Sequence, residues 1–116
     1  MKTPNLLFME MVLIMFFLSF TGTKGYCQVY RWAHSIGGLL GDEGTSITTD
    51  GGGNIYITGS FSKTADFNPG LGTANLTSVG SENIFLAKYD STGNYLWAIS
   101  IESTGYGSGN SIAVDD

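Results

Sequence analysis

The chain has 116 residues, enough for one small domain, and a net charge of −5. From residue 29 onward it carries nine acidic and three basic residues, a net charge of −6. An acidic surface repels phosphate groups, which argues against a nucleic acid partner and against an anionic membrane surface. Abundant glycine, aromatic residues and little charge favour an all-β fold of short strands joined by tight turns.

Residues 1–28 have the pattern of a signal peptide. Lys2 supplies a positive start, residues 6–20 form an apolar stretch containing Glu10, and small or polar residues follow. This stretch is shorter than the ~20 apolar residues that cross a bilayer. We predict a signal peptide helix cleaved near residues 25–28, no stable membrane span after cleavage, and a secreted or cell-surface protein. The alternative interpretation is a buried core helix or an uncleaved anchor.

Four strand-like runs follow in the remaining residues 29–116. Turn signals with Asp and Gly follow the first and the third run, and the last three runs have apolar residues on both faces. The runs span residues 44–49, 54–61, 84–89 and 95–101. Asp followed by Gly and Asn at residues 50–54 and 90–94 indicates two hairpin turns. The pattern predicts a four-stranded antiparallel sheet whose two apolar faces must both be covered.

An internal repeat with a period of 65 residues relates the two ends of this region. Nine of 21 residues in 30–50 are identical to those in 95–115, without a gap. Trp32 corresponds to Trp97, Ile36 to Ile101, and Gly44 to Gly109. A tandem repeat predicts stacked units. The chain holds about one and a third repeats, and radial stacking of such sheets as propeller blades covers both faces.

Several motifs closely resemble the SBBP-type bacterial β-propeller repeat. They are residues 32–38, 42–47, 53–61 and 85–90. Residues 64–70 and 75–78 resemble a longer variant of that repeat, with an insertion between two strands. The resemblance implies a truncated piece of a large exported propeller that is usually not an enzyme. The variable loop before the first strand gives Asp42 no predicted function.

Candidate sites are few, and we predict no catalytic or cofactor-binding residue. His34 is the only histidine; it corresponds to Ile99 in the second copy, so we expect it on a strand, packed against a neighbour. The two tryptophans share one repeat position, so we expect a structural role. The Gly-rich residues 105–109 should lead into a strand, which does not suit phosphate binding. Asp66 and Asn68 precede a glycine and are candidate calcium ligands; the alternative is a turn stabilised by their side chains.

Three functions remain open from the sequence. The first is an interaction scaffold that binds protein or glycan at the cell surface, or packs against neighbouring blades. The second is a truncated reading frame without independent function. The third is part of an enzyme whose catalytic residues lie on other blades.

Overall fold

The computed structural model describes residue 29 and residues 31–115, so the predicted signal peptide lies outside the described residues. Residues 31–115 contain strands and no helix, which confirms the predicted all-β class. The described strands are β1 (Gly37–Gly38), β2 (Asp42–Thr49), β3 (Ile55–Phe61), β4 (Thr64–Asp66), β5 (Asn75–Thr77), β6 (Asn83–Tyr89) and β7 (Tyr95–Ile101).

The main sheet is the predicted antiparallel blade. Its order is β2-β3-β6-β7, so each strand pairs with the next one along this set. The bounds of β7 agree with the prediction, β3 and β6 differ from it by one residue, and β2 begins two residues earlier. The extension of β2 pairs Asp42 with Phe61 and Glu43 with Ser60 beyond a β-bulge at residues 44–46. The sequence pattern missed this extension because the two residues it adds, Asp42 and Glu43, are both acidic.

The β2–β3 turn is built around the Asp50 side chain. Its Oδ1 accepts hydrogen bonds from the backbone N–H groups of Gly52 (3.0 Å) and Asn54 (2.9 Å). Gly53 has a φ of 78°, a left-handed conformation that glycine adopts without steric cost. The turn is therefore closed by a carboxylate and a glycine, as predicted.

The β6–β7 turn repeats this arrangement around Asp90. Oδ1 of Asp90 accepts hydrogen bonds from the backbone N–H groups of Thr92 (2.8 Å) and Asn94 (3.0 Å), and Gly93 has a φ of 86°. The side chains of Thr92 and Asn94 also donate to this carboxylate. These hydrogen bonds, the side-chain ones foremost, lower the pKa of Asp90 well below its usual range.

The insertion between β3 and β6 forms a second, smaller sheet. Its strands are arranged in the order β1-β4-β5, with Gly37 opposite Asp66 and Gly38 opposite Ala65. The family resemblance predicted an insertion here, but not its pairing with residues 37–38. Two glycines carry no side-chain pattern that could indicate a strand.

The main sheet has two faces because directly paired residues project to the same side. We call one the covered face; its central residues are Ile55, Ile57, Phe85, Ala87 and Tyr89. We call the other the open face; its residues include Tyr56, Thr58, Ile84, Leu86, Lys88, Trp97, Ile99 and Ile101. In β6 the covered-face residues are fully buried and the open-face residues are only partly buried. The two faces are therefore unequally protected within the described residues.

Three phenylalanines on the covered face join the insertion to the blade. The ring of Phe67 lies 5.5 Å from that of Phe61 and 4.9 Å from that of Phe85, between ring centroids. The Tyr89 hydroxyl donates a hydrogen bond to the backbone oxygen of Phe67 (2.8 Å). Burial is the largest cause that raises the pKa of Tyr89, to about 12. This cluster fixes the position of the insertion.

Residues 109–112, in the later part of the second repeat copy, lie against the open face. Backbone N–H groups of Gly109 and Ile112 donate to the Gly59 oxygen (3.4 Å) and to Ser46 Oγ (3.2 Å), and Thr45 Oγ1 donates to the Gly109 oxygen. Residues 110–115 nevertheless form no strand, so the strand expected after the Gly-rich segment is not found. These contacts use mostly side chains of β2 and supply no backbone ladder for a strand.

We predict that Phe67→Ala lowers the free energy of unfolding by about 3–5 kcal/mol, because it removes the ring that links the insertion to the blade and leaves a cavity. Urea unfolding followed by circular dichroism measures this loss. Leu71→Ala is the control: Leu71 is fully exposed in the same insertion, so its loss should stay within about 0.5 kcal/mol. Equal effects of the two substitutions would contradict the described core.

We predict that stability falls in acid and that Asp90 contributes to this fall. The pKa of Asp90 is lower in the folded chain than the usual ~3.9 of an unfolded chain, so its stabilising effect is present above that value and lost as the pH falls below it. Asp90→Asn keeps an oxygen acceptor but cannot titrate. The urea midpoint of this variant should therefore change less between pH 6 and pH 2 than that of the wild type. Glu102→Gln, an exposed acidic-to-amide change outside both turns, is the control variant for this comparison.

Candidate functional site

The loop of the insertion, residues 67–74, is held by two side-chain oxygens. Asp66 Oδ1 accepts hydrogen bonds from the backbone N–H groups of Asn68 (2.9 Å) and Ala74 (2.8 Å). Asn68 Oδ1 in turn accepts one from the N–H of Gly70 (2.9 Å). These backbone hydrogen bonds, the one from Ala74 more than the one from Asn68, lower the pKa of Asp66. The loop is thus closed across its base and positions Leu71 at its exposed tip.

A second loop, residues 39–41, is fixed by Asp42. Its two carboxylate oxygens accept hydrogen bonds from the backbone N–H groups of Gly38 (2.6 Å) and Ser62 (3.3 Å). Asp42 thus ties the start of β2 to β1 and to the end of β3. The sequence analysis predicted no function for Asp42 and did not predict this structural role.

These two loops border a cleft that we call the loop cleft. Its volume is about 420 Å³. It is lined by Ser35, Ile36, Gly37, Gly38, Leu40, Asp42, Asp66, Asn68 and Pro69. Two carboxylates, Asp42 and Asp66, and three apolar side chains, Ile36, Leu40 and Pro69, therefore line one cavity. Such a surface can accept a cationic group flanked by apolar atoms.

The candidate calcium ligands Asp66 and Asn68 both lie at this cleft. Oδ1 of each residue accepts hydrogen bonds from backbone N–H groups. These are the side-chain-stabilised turns that the sequence offered as the alternative to a calcium site. Among residues 29 and 31–115, no group of three or more His, Cys, Asp or Glu side chains is placed to hold a metal ion. Calcium binding at Asp66 and Asn68 stays a prediction.

His34 lies outside the described strands, which differs from the prediction that it occupies one. It is exposed, and its ring centroid lies 5.1 Å from that of Trp32. Both rings rest on Gly93: a Cβ at that glycine would come within 2.7 Å of His34 Cδ2 and 3.0 Å of Trp32 Cδ2. His34 thus packs against the β6–β7 turn of the same sheet, without the strand partner that a regular ladder requires.

Sequence reasoning missed the apolar residues of the two loops. Leu39, Leu40 and Leu71 each lie next to a glycine in a turn-rich segment, and all three are exposed despite being apolar. An apolar pair between glycines at residues 38–41 is a signal that could have been noticed, because loops usually carry polar residues there. Only the fold shows that this pair and Pro69 border the same cleft.

The part of the chain that the structure describes contains no helix with the length and apolar character needed to cross a membrane.

Comparison with known proteins agrees with the observed blade. Residues 31–60 match the SBBP family, described as a beta-propeller repeat. An uncharacterised WD repeat-containing protein of Acanthamoeba polyphaga mimivirus is 39% identical over an alignment of 100 residues. The match covers 72% of this chain and 7% of that protein. No solved structure matches the chain. The antiparallel four-stranded sheet and the family match together identify residues 31–60 as an SBBP-type beta-propeller repeat.

Proposed function

We propose that the chain is an exported, non-catalytic repeat scaffold whose loop cleft binds a basic, partly apolar segment of a protein partner. The single observation that carries this proposal is the cleft itself, where Asp42 and Asp66 lie beside Leu40 and Pro69. The repeat family and the WD repeat-containing relative support a scaffold role.

The rigidity of the two loops supports binding. The Asp66 and Asn68 side chains and the buried Phe67 ring hold one loop, and Asp42 holds the other, before any partner arrives. A binding surface that is already ordered loses less conformational entropy on association. Exposed leucines at the loop tips supply apolar area of the kind that protein interfaces bury.

The charge of the chain favours a basic partner. The net charge of −5 attracts cations over a distance, and the two cleft carboxylates add a local attraction. The carboxylates of Asp66 and Asp42 accept hydrogen bonds from backbone N–H groups. A lysine or arginine beside an apolar residue is the complementary ligand.

We predict that a random-peptide library selected on the immobilised chain yields peptides with Lys or Arg next to an apolar residue. Asp66→Asn keeps the turn acceptor but removes the charge, and should weaken the selected peptides about two- to fivefold, the size of an exposed ion pair. Leu40→Ser should also weaken binding of these peptides. Added salt should weaken it as well, because salt screens the attraction between the peptide cation and the Asp66 carboxylate.

The matched control is Glu102→Gln, which removes the same charge at an exposed position that does not line the cleft. Peptides that respond equally to Glu102→Gln and Asp66→Asn would show that net charge, and not the cleft, drives binding. If a parallel array shows binding of glycans but not of peptides, the ligand is a sugar and the proposed protein partner is wrong.

The export part of the proposal rests on residues 1–28. We predict that this segment directs a reporter phosphatase out of the cytoplasm, where the reporter's disulfides form and it becomes active. Leu13→Arg, which breaks the apolar stretch, should abolish that activity. Mass spectrometry of the exported product should find a new N-terminus near residues 25–28. Retention of the whole segment in an active, membrane-bound reporter would favour the uncleaved anchor.

A further inference from the structure

Strand β7 forms one edge of the main sheet. The sheet order places β6 on one side of it, and among residues 29 and 31–115 no strand pairs with its other side. β5 of the smaller sheet comes near β7 but pairs with β4. We call the unpaired side of β7 the free edge. Such an edge offers its backbone N–H and C=O groups to any further strand.

The hydrogen bonds of the β6–β7 hairpin determine which backbone groups point to the free edge. The Asp90 N–H donates to the Asn94 oxygen (2.9 Å), so these two residues form a hydrogen-bonded pair. Opposite residues of antiparallel strands alternate between hydrogen-bonded and non-hydrogen-bonded pairs. Counted from the turn, with one residue of β7 extra at a β-bulge, Ala98 and Ser100 fall in non-hydrogen-bonded pairs. Their N–H and C=O groups therefore point away from β6.

The side chain of Tyr95 occupies one of these outward groups. Its hydroxyl accepts a hydrogen bond from the backbone N–H of Ala98 (2.9 Å). The Tyr95 ring lies edge-on to that of Tyr89, with 6.2 Å between centroids, and packs against the core cluster. The hydroxyl is thus held at the free edge by a ring that is anchored on the covered face.

The internal repeat contains the same two residue types at the same spacing. Tyr95 and Ala98 correspond to Tyr30 and Ala33, whereas Leu96, which lies between them, corresponds to Arg31. A tyrosine three residues before an alanine is therefore present in both copies of this segment.

The free edge lacks the features that usually prevent strands from pairing. Natural edge strands often carry lysine, proline or an inward-pointing charge. Residues 95–101 contain none of these, and most of them are aromatic or β-branched types that favour strands or other apolar types. The β-bulge lies at the turn end of β7 and leaves residues 97–101 in regular register. The Tyr95 hydroxyl is thus the group that occupies a donor in the middle of the edge.

The free edge is complementary to the same edge of a second copy. With a two-fold axis at Ile99, Ala98 of each chain lies opposite Ser100 of the other, and each such pair can exchange backbone hydrogen bonds. Ile99 then lies opposite Ile99 of the second copy, and Trp97 lies opposite Ile101 of the second copy. These cross-strand pairs are apolar and uncharged, so they add to the backbone contact.

We propose that the free edge of β7 is a pairing surface for a second copy of this chain, and that the Tyr95 hydroxyl opposes this pairing by occupying the Ala98 N–H. Before two edges can pair, the hydroxyl must release that N–H in both chains, so each chain loses one hydrogen bond. This inference goes beyond the loop cleft and does not depend on what the cleft binds.

The test compares the wild-type chain with Tyr95→Phe, which keeps the ring and removes the hydroxyl. Sedimentation velocity over a series of concentrations measures the dissociation constant of the dimer. We expect this constant to fall roughly four- to hundredfold, because two hydrogen bonds, each worth a factor of roughly two to ten, no longer oppose pairing. Amide hydrogen exchange should show the Ser100 N–H becoming protected as the concentration of this variant rises.

Two further variants make the test specific to the free edge. Ala98→Pro, added to Tyr95→Phe, removes the central N–H and should return the dissociation constant to the wild-type value or above it. Proline is tolerated in an edge strand where the N–H faces solvent. Tyr106→Phe is the matched control, because it removes the hydroxyl of an exposed tyrosine outside β7 and should leave the dissociation constant unchanged.

The wild-type chain supplies a second measurement that needs no variant. In its monomer, the Ala98 N–H should exchange more slowly with solvent than the Ser100 N–H, because the Tyr95 hydroxyl protects only the first. Equal exchange of the two groups would show that the hydroxyl does not occupy the edge, and would overturn the proposal.

Two results from the variants would also overturn it. In the first, Tyr95→Phe stays as monomeric as the wild type. In the second, Tyr106→Phe or the double variant dimerises as strongly as Tyr95→Phe, which would place the contact away from the free edge. A dimer that forms with Tyr95→Phe alone, and that protects the Ser100 N–H, supports the pairing surface.

Discussion

The architecture depends on one constraint: the four-stranded sheet is apolar on both faces, and the described residues bury one face more fully than the other. The covered face is buried by the insertion and by residues 31–36, with Phe61 and Phe85 at its centre. The open face keeps Ile99 and Ile101 about half exposed. Burial of apolar area is the main favourable term in folding, so this asymmetry is a source of association free energy.

The insertion depends on the same face. Phe67 enters the cluster between Phe61 and Phe85, and the Tyr89 hydroxyl satisfies its backbone oxygen, so the loop that follows begins at a fixed point. Asp66 then closes the loop at its far end. The loop cleft is therefore a product of core packing, although two carboxylates line it. Loops that core packing already orders lose less conformational entropy when they bind a partner.

Repetition adds information that a single blade does not contain. Trp97 and Ile101 on β7 lie on the open face, whereas their counterparts Trp32 and Ile36, before β1, lie on the covered face. Gly93 in the β6–β7 turn has a positive φ, and its missing side chain leaves room for the rings of Trp32 and His34. One glycine thus serves both the hairpin and the packing of these two rings.

The sequence by itself determined the all-β class, four main strands to within two residues, both Asp-Gly-Asn turns and the 65-residue repeat. These are local signals: alternation, turn chemistry and identity at a fixed spacing. Only the tertiary structure decided that Gly37–Gly38 pairs with β4, that Asp42 and Asp66 share a cleft with Leu40 and Pro69, and that His34 rests on a turn. Such contacts join residues far apart in the chain, and glycines or short polar segments carry no periodic pattern that could reveal their partners.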